Sequence, residues 1–328
     1  MGKLQLNKCW PEDCITTMTT HMPANCIDLV ITSPPYFGCR VYGNETLGRE
    51  ESPRDYITHL VDVAQHVKRV LKPGGTFYLN VGDVYFGSKG FSRNAGTWAR
   101  KTDHHYKEHK ICKPDGKYIQ HKQLLLLPSR IAIAMQDDGW ILRNDIIWEK
   151  TNPLPASARD RRLPCYEHVF HFVKSRKYFY SENTAKKISS NRDVFRTGLK
   201  PFGKHPAAFT AALIEPLVLT SSRKGGIVYD PFMGSGTTAV VASVHKRKWI
   251  GSEINEEYVK LVYENVKGKT PPPETIDVDV EVENIELEAV DESVAEELTM
   301  SGSSVSQNTQ PEPHVAELYQ KIAGNSYE

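Results

Sequence analysis

Residues 226 to 253 constrain the fold of this chain more than any other stretch. Gly226-Ile227-Val228-Tyr229 has the apolar, β-branched character of a short buried strand. Asp230-Pro231-Phe232-Met233-Gly234-Ser235-Gly236-Thr237-Thr238 follows as a glycine-rich turn, and Thr237 to His245, rich in Ala and Val, reads as a helix. Lys248-Trp249-Ile250-Gly251-Ser252 is a second strand that ends in Glu253. Strand, glycine-rich turn and helix make a nucleotide-binding pattern. Gly234 and Gly236 let the backbone approach a ligand closely and adopt positive φ. The turn is not G-x-G-x-x-G, and no Lys-Ser/Thr follows it as in a P-loop, which argues against a pyrophosphate or triphosphate. An acidic residue at the tip of the next strand is placed to accept from ribose hydroxyls.

A second strand–turn unit lies near the start. The run Ile27-Asp28-Leu29-Val30-Ile31 leads into Thr32-Ser33-Pro34-Pro35-Tyr36, where two prolines stop it abruptly. A hydroxyl, a rigid carbonyl-bearing turn and an aromatic ring are presented together at a strand's carboxyl edge, where open α/β sheets bind ligands. The group suits a planar base with an exocyclic NH2: the ring stacks and the oxygens accept from the amine. Read alone, the same residues also describe a Pro-Pro turn with Tyr36 packed on the core. The glycine-rich unit decides between the two.

S-P-P-Y followed by D-P-F-x-G-S-G-T-T resembles the amino-group DNA methyltransferases, which methylate cytosine N4 or adenine N6 with S-adenosylmethionine. The motif order here is the permuted one of the β class. Further stretches are similar to the family's: Asp13-Cys14, Tyr36 to Gly43, Leu71 to Phe77, Asp138 to Trp148, Tyr166 to Phe170 and Lys204 to Phe209. The resemblance spans about residues 4–267 and implies a Rossmann-like α/β methyltransferase fold, mostly parallel, with helices on both faces and a circularly permuted motif order. It implies that Ser33, Pro34, Pro35 and Tyr36 are catalytic. For the cofactor it implies Asp13 at the adenine amine, Asp230 and the Phe232–Gly236 turn at the methionine end, and Glu253 at the ribose. Thr32, His205, Pro231, Gly234, Ser235, Gly236 and Thr237 complete the pocket. Glu12 stands where the family commonly has Gly before the Asp. Ser33 at the first motif position resembles the cytosine-N4 group, whereas the adenine enzymes more often carry Asp or Asn. Adenine N6 is the alternative acceptor; an RNA methyltransferase and an inactive DNA-binding relative are the readings from other classes.

The implied chemistry needs no metal and no covalent enzyme intermediate. A base inside a duplex must be flipped out at a cost of about a few kcal/mol. Its ring would stack on Tyr36 and its amine would donate to Ser33 Oγ and the Pro34 carbonyl, with transfer driven by positioning. The residues name no acceptor for the departing proton. Pro164-Cys165 resembles the nucleophile of carbon-methylating enzymes, but it is far from S-P-P-Y in sequence, and Cys165 is expected to be structural and half-buried.

Charge suits a polyanionic partner, which the resemblance implies is double-stranded DNA. Residues 271–328 hold 14 acidic residues and one Lys, so the net charge of +1 divides into about +14 for the body and −13 for the tail. Candidate DNA contacts are Arg40, then Lys89, Arg93, Arg100 and Lys101 in a basic, aromatic-rich loop at 82–123. Lys177, Lys186, Lys187, Arg192 and Arg196 lie in a short stretch at 174–203, where the resemblance implies the target-recognition region. The expected organisation is a methyltransferase domain at 1–270 and a flexible acidic tail at 271–328. Expected helices are 53–71, 128–137, 207–219, 237–245 and 256–267. No apolar run approaches the roughly 20 residues of a membrane span, the start is too polar for a signal peptide, and the six cysteines form no C-x-x-C pair. A cytoplasmic, prokaryotic or phage-encoded enzyme is expected, open to homodimerisation. It is expected to be open also to a cognate restriction endonuclease partner, which its activity would not require.

Overall fold

The computed structural model describes residues 2–38, 47–86, 113–153, 155, 158–188, 192–198, 210–269 and 271–278. The chain opens with β1 (Gly2–Leu6), β2 (Lys8–Trp10), α1 (Cys14–His21) and β3 (Ile27–Thr32). Next come α2 (Pro53–Val70), β4 (Leu71–Val81), α3 (Leu127–Asp137), β5 (Ile141–Lys150) and β6 (Tyr166–Val173). It continues through α4 (Glu182–Lys187), β7 (Val194–Thr197), α5 (Ala211–Ser221), β8 (Ile227–Asp230), α6 (Thr237–Val244), β9 (Lys248–Ser252), α7 (Glu256–Val266) and β10 (Glu274–Val278).

Eight strands form one sheet in the order β2-β9-β8-β3-β4-β6-β5-β7. All run parallel except β6, which is antiparallel to both β4 and β5. The chain leaves β3 toward β4 on one side, and later fills β8 and β9 on the other. The order therefore reverses between β3 and β8, and a crevice opens at the carboxyl ends there.

Side chains alternate across the sheet with period two. Val30, Phe77, Leu79, Tyr229 and Ile250 join the core under α1, α2 and α3. Their neighbours Leu29, Ile31, Tyr78, Val228 and Trp249 join the core under α5, α6 and α7. Both faces are thus covered, which explains the near-continuous apolar runs of β3 and β8.

Helix α2 shows how local sequence sets an element. Ser52 caps it by accepting from Asp55 N, Pro53 occupies the first turn, and Lys68 and Arg69 complement the dipole at its end. Tyr56, Leu60, Val63, Ala64 and Val67 recur at helical spacing and are buried.

Two expectations are corrected. The helix expected at 207–219 runs instead from Ala211 to Ser221; Thr210, in extended conformation, precedes it, and 207–209 lie outside the described residues. The domain does not end at 270. Glu274–Val278 pairs antiparallel with β1, Gly2 opposite Val278, and Ile276 packs on the core. The compact unit runs to Val280. The alternating pattern from Asp277 onward signals this strand in part, but the acid load pointed away from it.

Candidate active site

The two motif turns meet across the crevice. Thr32, the last residue of β3, donates from Oγ1 to Asp230 Oδ1 at 2.6 Å. Thr238, in the first turn of α6, donates to Oδ2 at 2.6 Å, and Phe232 N donates to Oδ1 at 3.0 Å. Thr32 and Asp230 are each only 1% exposed, and burial pushes the Asp230 carboxyl up to about 6. Both Asp230 oxygens are thus taken by the chain's own donors. Thr32 and Asp230, both expected at the cofactor, are thus the tie that joins the two turns.

The glycine-rich turn does face the crevice. Gly234 and Gly236 have φ of 54° and 89°. A Cβ on Gly236 would also lie 3.1 Å from the Val262 backbone of α7, so only glycine lets the turn settle there. Helix α6 begins at Gly236 with no side-chain cap. Ser235 Oγ and Thr237 Oγ1 are buried with no partner among the described residues. Glu253 follows β9; its oxygens accept from Gly234 N at 2.8 Å and Asn255 N at 2.9 Å, and burial raises its carboxyl above the ordinary range. Glu253 N donates to Trp10 O at 3.0 Å, which sets the tip of β2 beside it. Asp13 lies three residues beyond and caps α1, Oδ1 accepting from Ile15 N at 2.8 Å. Unused hydroxyls, an uncapped helix start and carboxylates on adjacent strand tips fit a cofactor with a carboxylate, a ribose and an adenine. Half-buried Phe232 stands in the same turn. His205 lies outside the described residues.

The S-P-P-Y turn is braced from below. The Pro35 carbonyl accepts from Tyr56 Oη at 2.9 Å, and Phe37 is fully buried. Ser33 Oγ donates to Tyr36 Oη at 3.3 Å. Tyr36 Oη in turn donates to Glu167 Oε2 at 2.8 Å. Asn80 Nδ2 donates to the same oxygen at 3.2 Å, and Lys150 Nζ to Glu167 Oε1. A Cβ on Gly82 would lie 2.8 Å from Tyr36 Cε2, so the glycine makes room for the ring. Burial and the Glu167 charge hold the Tyr36 hydroxyl well above its usual range.

Residues 27–264 match the N6/N4 DNA methylase family model. The chain belongs to the N6/N4 DNA methylase family. It is 40% identical over 252 residues to the type II methyltransferase M.SmaI of Serratia marcescens, covering 73% of this chain and 84% of that one. It is 38% identical over 264 residues to M.XycI of Xanthomonas campestris pv. cyanopsidis, covering 77% and 85%. The PvuII DNA methyltransferase (cytosine-N4-specific) superposes with a TM-score of 0.60 at 22% identity, covering 79% of this chain and 85% of that one. A Thermus thermophilus structure complexed with S-adenosyl-L-methionine superposes at 0.56 with 24% identity, covering 81% and 95%.

The methylase's basic candidates divide by position. Arg40, Lys89, Arg93, Arg100 and Lys101 lie outside the described residues. The stem of the 82–123 loop is described, however: Phe86 N donates to Gln123 O at 2.8 Å and Lys122 N to Phe86 O at 3.0 Å, just past the carboxyl end of β4. Arg192 and Arg196 line a cavity of about 730 Å³ with Asn144, His171 and Tyr180, and Arg196 also pairs with Glu149 at 2.7 Å. Lys177 does not join them. Because β6 runs antiparallel, the chain leaves it at the amino edge of the sheet, where Phe179 N bonds Gly74 O at 2.9 Å and Ser181 N bonds Thr220 O at 2.8 Å. The eight residues of β6 span roughly 25 Å, so Lys177 stands across the sheet from Ser33. Lys186 and Lys187 are exposed on α4, where Lys186 pairs with Glu182 at 2.5 Å.

Asn80, Lys150 and Glu167 join the hydrogen-bonded cluster around Tyr36, and motif reading passes over them. Each leaves a faint signal. Asn80 interrupts the buried run Phe77–Val81 and is 4% exposed. Glu167 and Lys150 are charged residues at strand ends that otherwise feed the core. Cys165, half-buried as expected, is far from S-P-P-Y only in sequence: it stands two residues before Glu167, and its carbonyl accepts from Lys150 N at 2.7 Å.

Proposed function

We propose that this methylase transfers a methyl group to N4 of a cytosine flipped out of double-stranded DNA, with adenine N6 as the alternative acceptor. The observation that carries the reading is that Ser33 and Tyr36 share one hydrogen-bonded cluster at the end of β3, while Thr32 of the same strand is bonded to the cofactor-side turn. That geometry supports a transfer site whose two halves share one strand.

S-adenosylmethionine, when bound, supplies an electrophilic methyl group. Ser235, Thr237 and the uncapped start of α6 would hold its carboxylate, Glu253 its ribose and Asp13 its adenine amine, with Phe232 against the adenosine. Gly234 and Pro231 shape that wall. On the other side Tyr36 supports the flipped base. Its amine donates to Ser33 Oγ and to the Pro34 carbonyl; the Pro35 carbonyl is already engaged by Tyr56. Acceptors that draw the amine's hydrogens out of the base plane favour a pyramidal nitrogen with its lone pair aimed at the methyl group. Rate acceleration then comes chiefly from orientation. Ser33 at the first motif position resembles the cytosine-N4 group, and that resemblance supports cytosine.

Incubation with labelled S-adenosylmethionine and unmethylated genomic DNA, followed by nucleoside mass spectrometry, tests this. N4-methylcytosine is expected. N6-methyladenine would move the acceptor to adenine, and unlabelled DNA with intact cofactor binding would overturn the DNA reading.

A further inference from the structure

The cluster around Tyr36 has a direction. Ser33 Oγ donates to Tyr36 Oη, which donates to Glu167 Oε2. A chain of hydroxyls therefore runs from the place proposed for the amine to a carboxylate on β6. Among the described residues, the groups bonded to that carboxylate are all donors: Tyr36 from the turn after β3, Asn80 from β4 and Lys150 from β5. The next side chain of β6, His168, is engaged elsewhere, with Asp145 at 2.8 Å. The donors of this cluster converge on Glu167, which is ion-paired with Lys150. Tyr36 is a neutral hydroxyl at rest, since burial and the neighbouring carboxylate disfavour its phenolate.

We infer that Ser33, Tyr36 and Glu167 form a proton relay that carries away the proton the amine loses on methylation, with Glu167 the terminal acceptor. The inference rests on the amino-methylation reading and completes it. As the new C–N bond forms and the S–CH3 bond breaks, the amine becomes cationic and its remaining N–H acidic. That N–H breaks toward Ser33 Oγ, the Ser33 hydrogen passes to Tyr36 Oη, and the Tyr36 hydrogen passes to Glu167 Oε2. One N–H bond is lost and one O–H bond is gained. Both hydroxyls are restored, and a cation and a carboxylate neutralise each other. Glu167, 14% exposed at its side chain, then returns the proton to water.

Single-turnover methyl transfer to DNA, measured with wild type, Tyr36→Phe, Glu167→Gln and the double variant from about pH 6 to about pH 9, tests the relay. Tyr36→Phe keeps the ring that supports the base and removes only the link. Each single variant is expected to slow transfer by roughly 10²-fold near neutrality with DNA and cofactor affinities unchanged. The double variant should be no slower than the slower single one, because both break the same line. The Tyr36→Phe rate should rise with pH as solvent base takes over. Wild-type rate and pH profile in Tyr36→Phe, or a loss expressed only as weaker binding, would overturn the relay. Glu167→Gln leaves Lys150 without its counter-charge; if it does not fold, Tyr36→Phe carries the test. A wild-type enzyme that transfers nothing to DNA would overturn the reading beneath the relay, a result distinct from an active wild type with an unaffected Tyr36→Phe.

Discussion

Thr32 Oγ1 donates to Asp230 Oδ1 at 2.6 Å between residues 198 apart in sequence, across the point where strand order in the sheet reverses. This bond, with those from Thr238 and Phe232, satisfies a buried carboxylate entirely from within the chain. Removing one donor strands part of its charge. Thr32→Val is expected to lower stability by about 1–3 kcal/mol and to weaken cofactor binding, because the turn loses its tie to β3. Chemical denaturation and calorimetric titration would report both.

The same carboxyl gives a pH signature. Its folded value of about 6 lies above the unfolded one, so the folded state binds more protons between about pH 4 and about pH 6. The contribution from Asp230 is therefore greatest below about pH 4 and falls as pH rises through about 6, a change of roughly 3 kcal/mol. The stability difference between wild type and Asp230→Asn, followed from about pH 4 to about pH 7, should move against the wild type as pH rises. A flat difference would refute the assignment.

Gly236→Ala should be damaging without touching any ligand. A side chain there meets both the positive φ and the Val262 backbone. A loss of about 1–3 kcal/mol in stability is expected, accompanied by weaker binding of S-adenosylmethionine, as read by melting with and without the cofactor.

Position in the sheet separates the basic candidates. Arg196→Ala should weaken DNA binding and reduce the slope of log affinity against log salt by about 1. Lys177→Ala should leave both unchanged, because that residue emerges at the far edge. Equal effects from the two in a fluorescence anisotropy titration would show that DNA wraps the amino edge.

Ser33→Ala should slow single-turnover transfer by roughly 10²-fold while cofactor affinity stays as in the wild type. A matching loss in cofactor binding would place Ser33 in the wrong half of the site.

What the sequence made legible was local. β8, its turn, α6, β9 and Glu253 lie within one stretch, and S-P-P-Y directly follows its strand, so pattern and spacing carried them. Asn80, Lys150 and Glu167 come together only because β4, β6 and β5 pair antiparallel, a long-range register that no local pattern encodes. The reversal of β6 likewise put Lys177 on an edge that its basic neighbourhood did not foretell. β10 was read through its charge, yet it forms because β1 offers an unpaired partner.

That β1–β10 pairing also bears on how genes of this fold can be rearranged. Gly2 and Val278 are opposite residues of one ladder, so a short link could join them and the chain could be opened at a surface loop elsewhere. The sheet would keep its neighbours while the order of S-P-P-Y and D-P-F along the new chain was exchanged. With Gly2 and Val278 side by side, motif order would become a matter of where the polypeptide is cut.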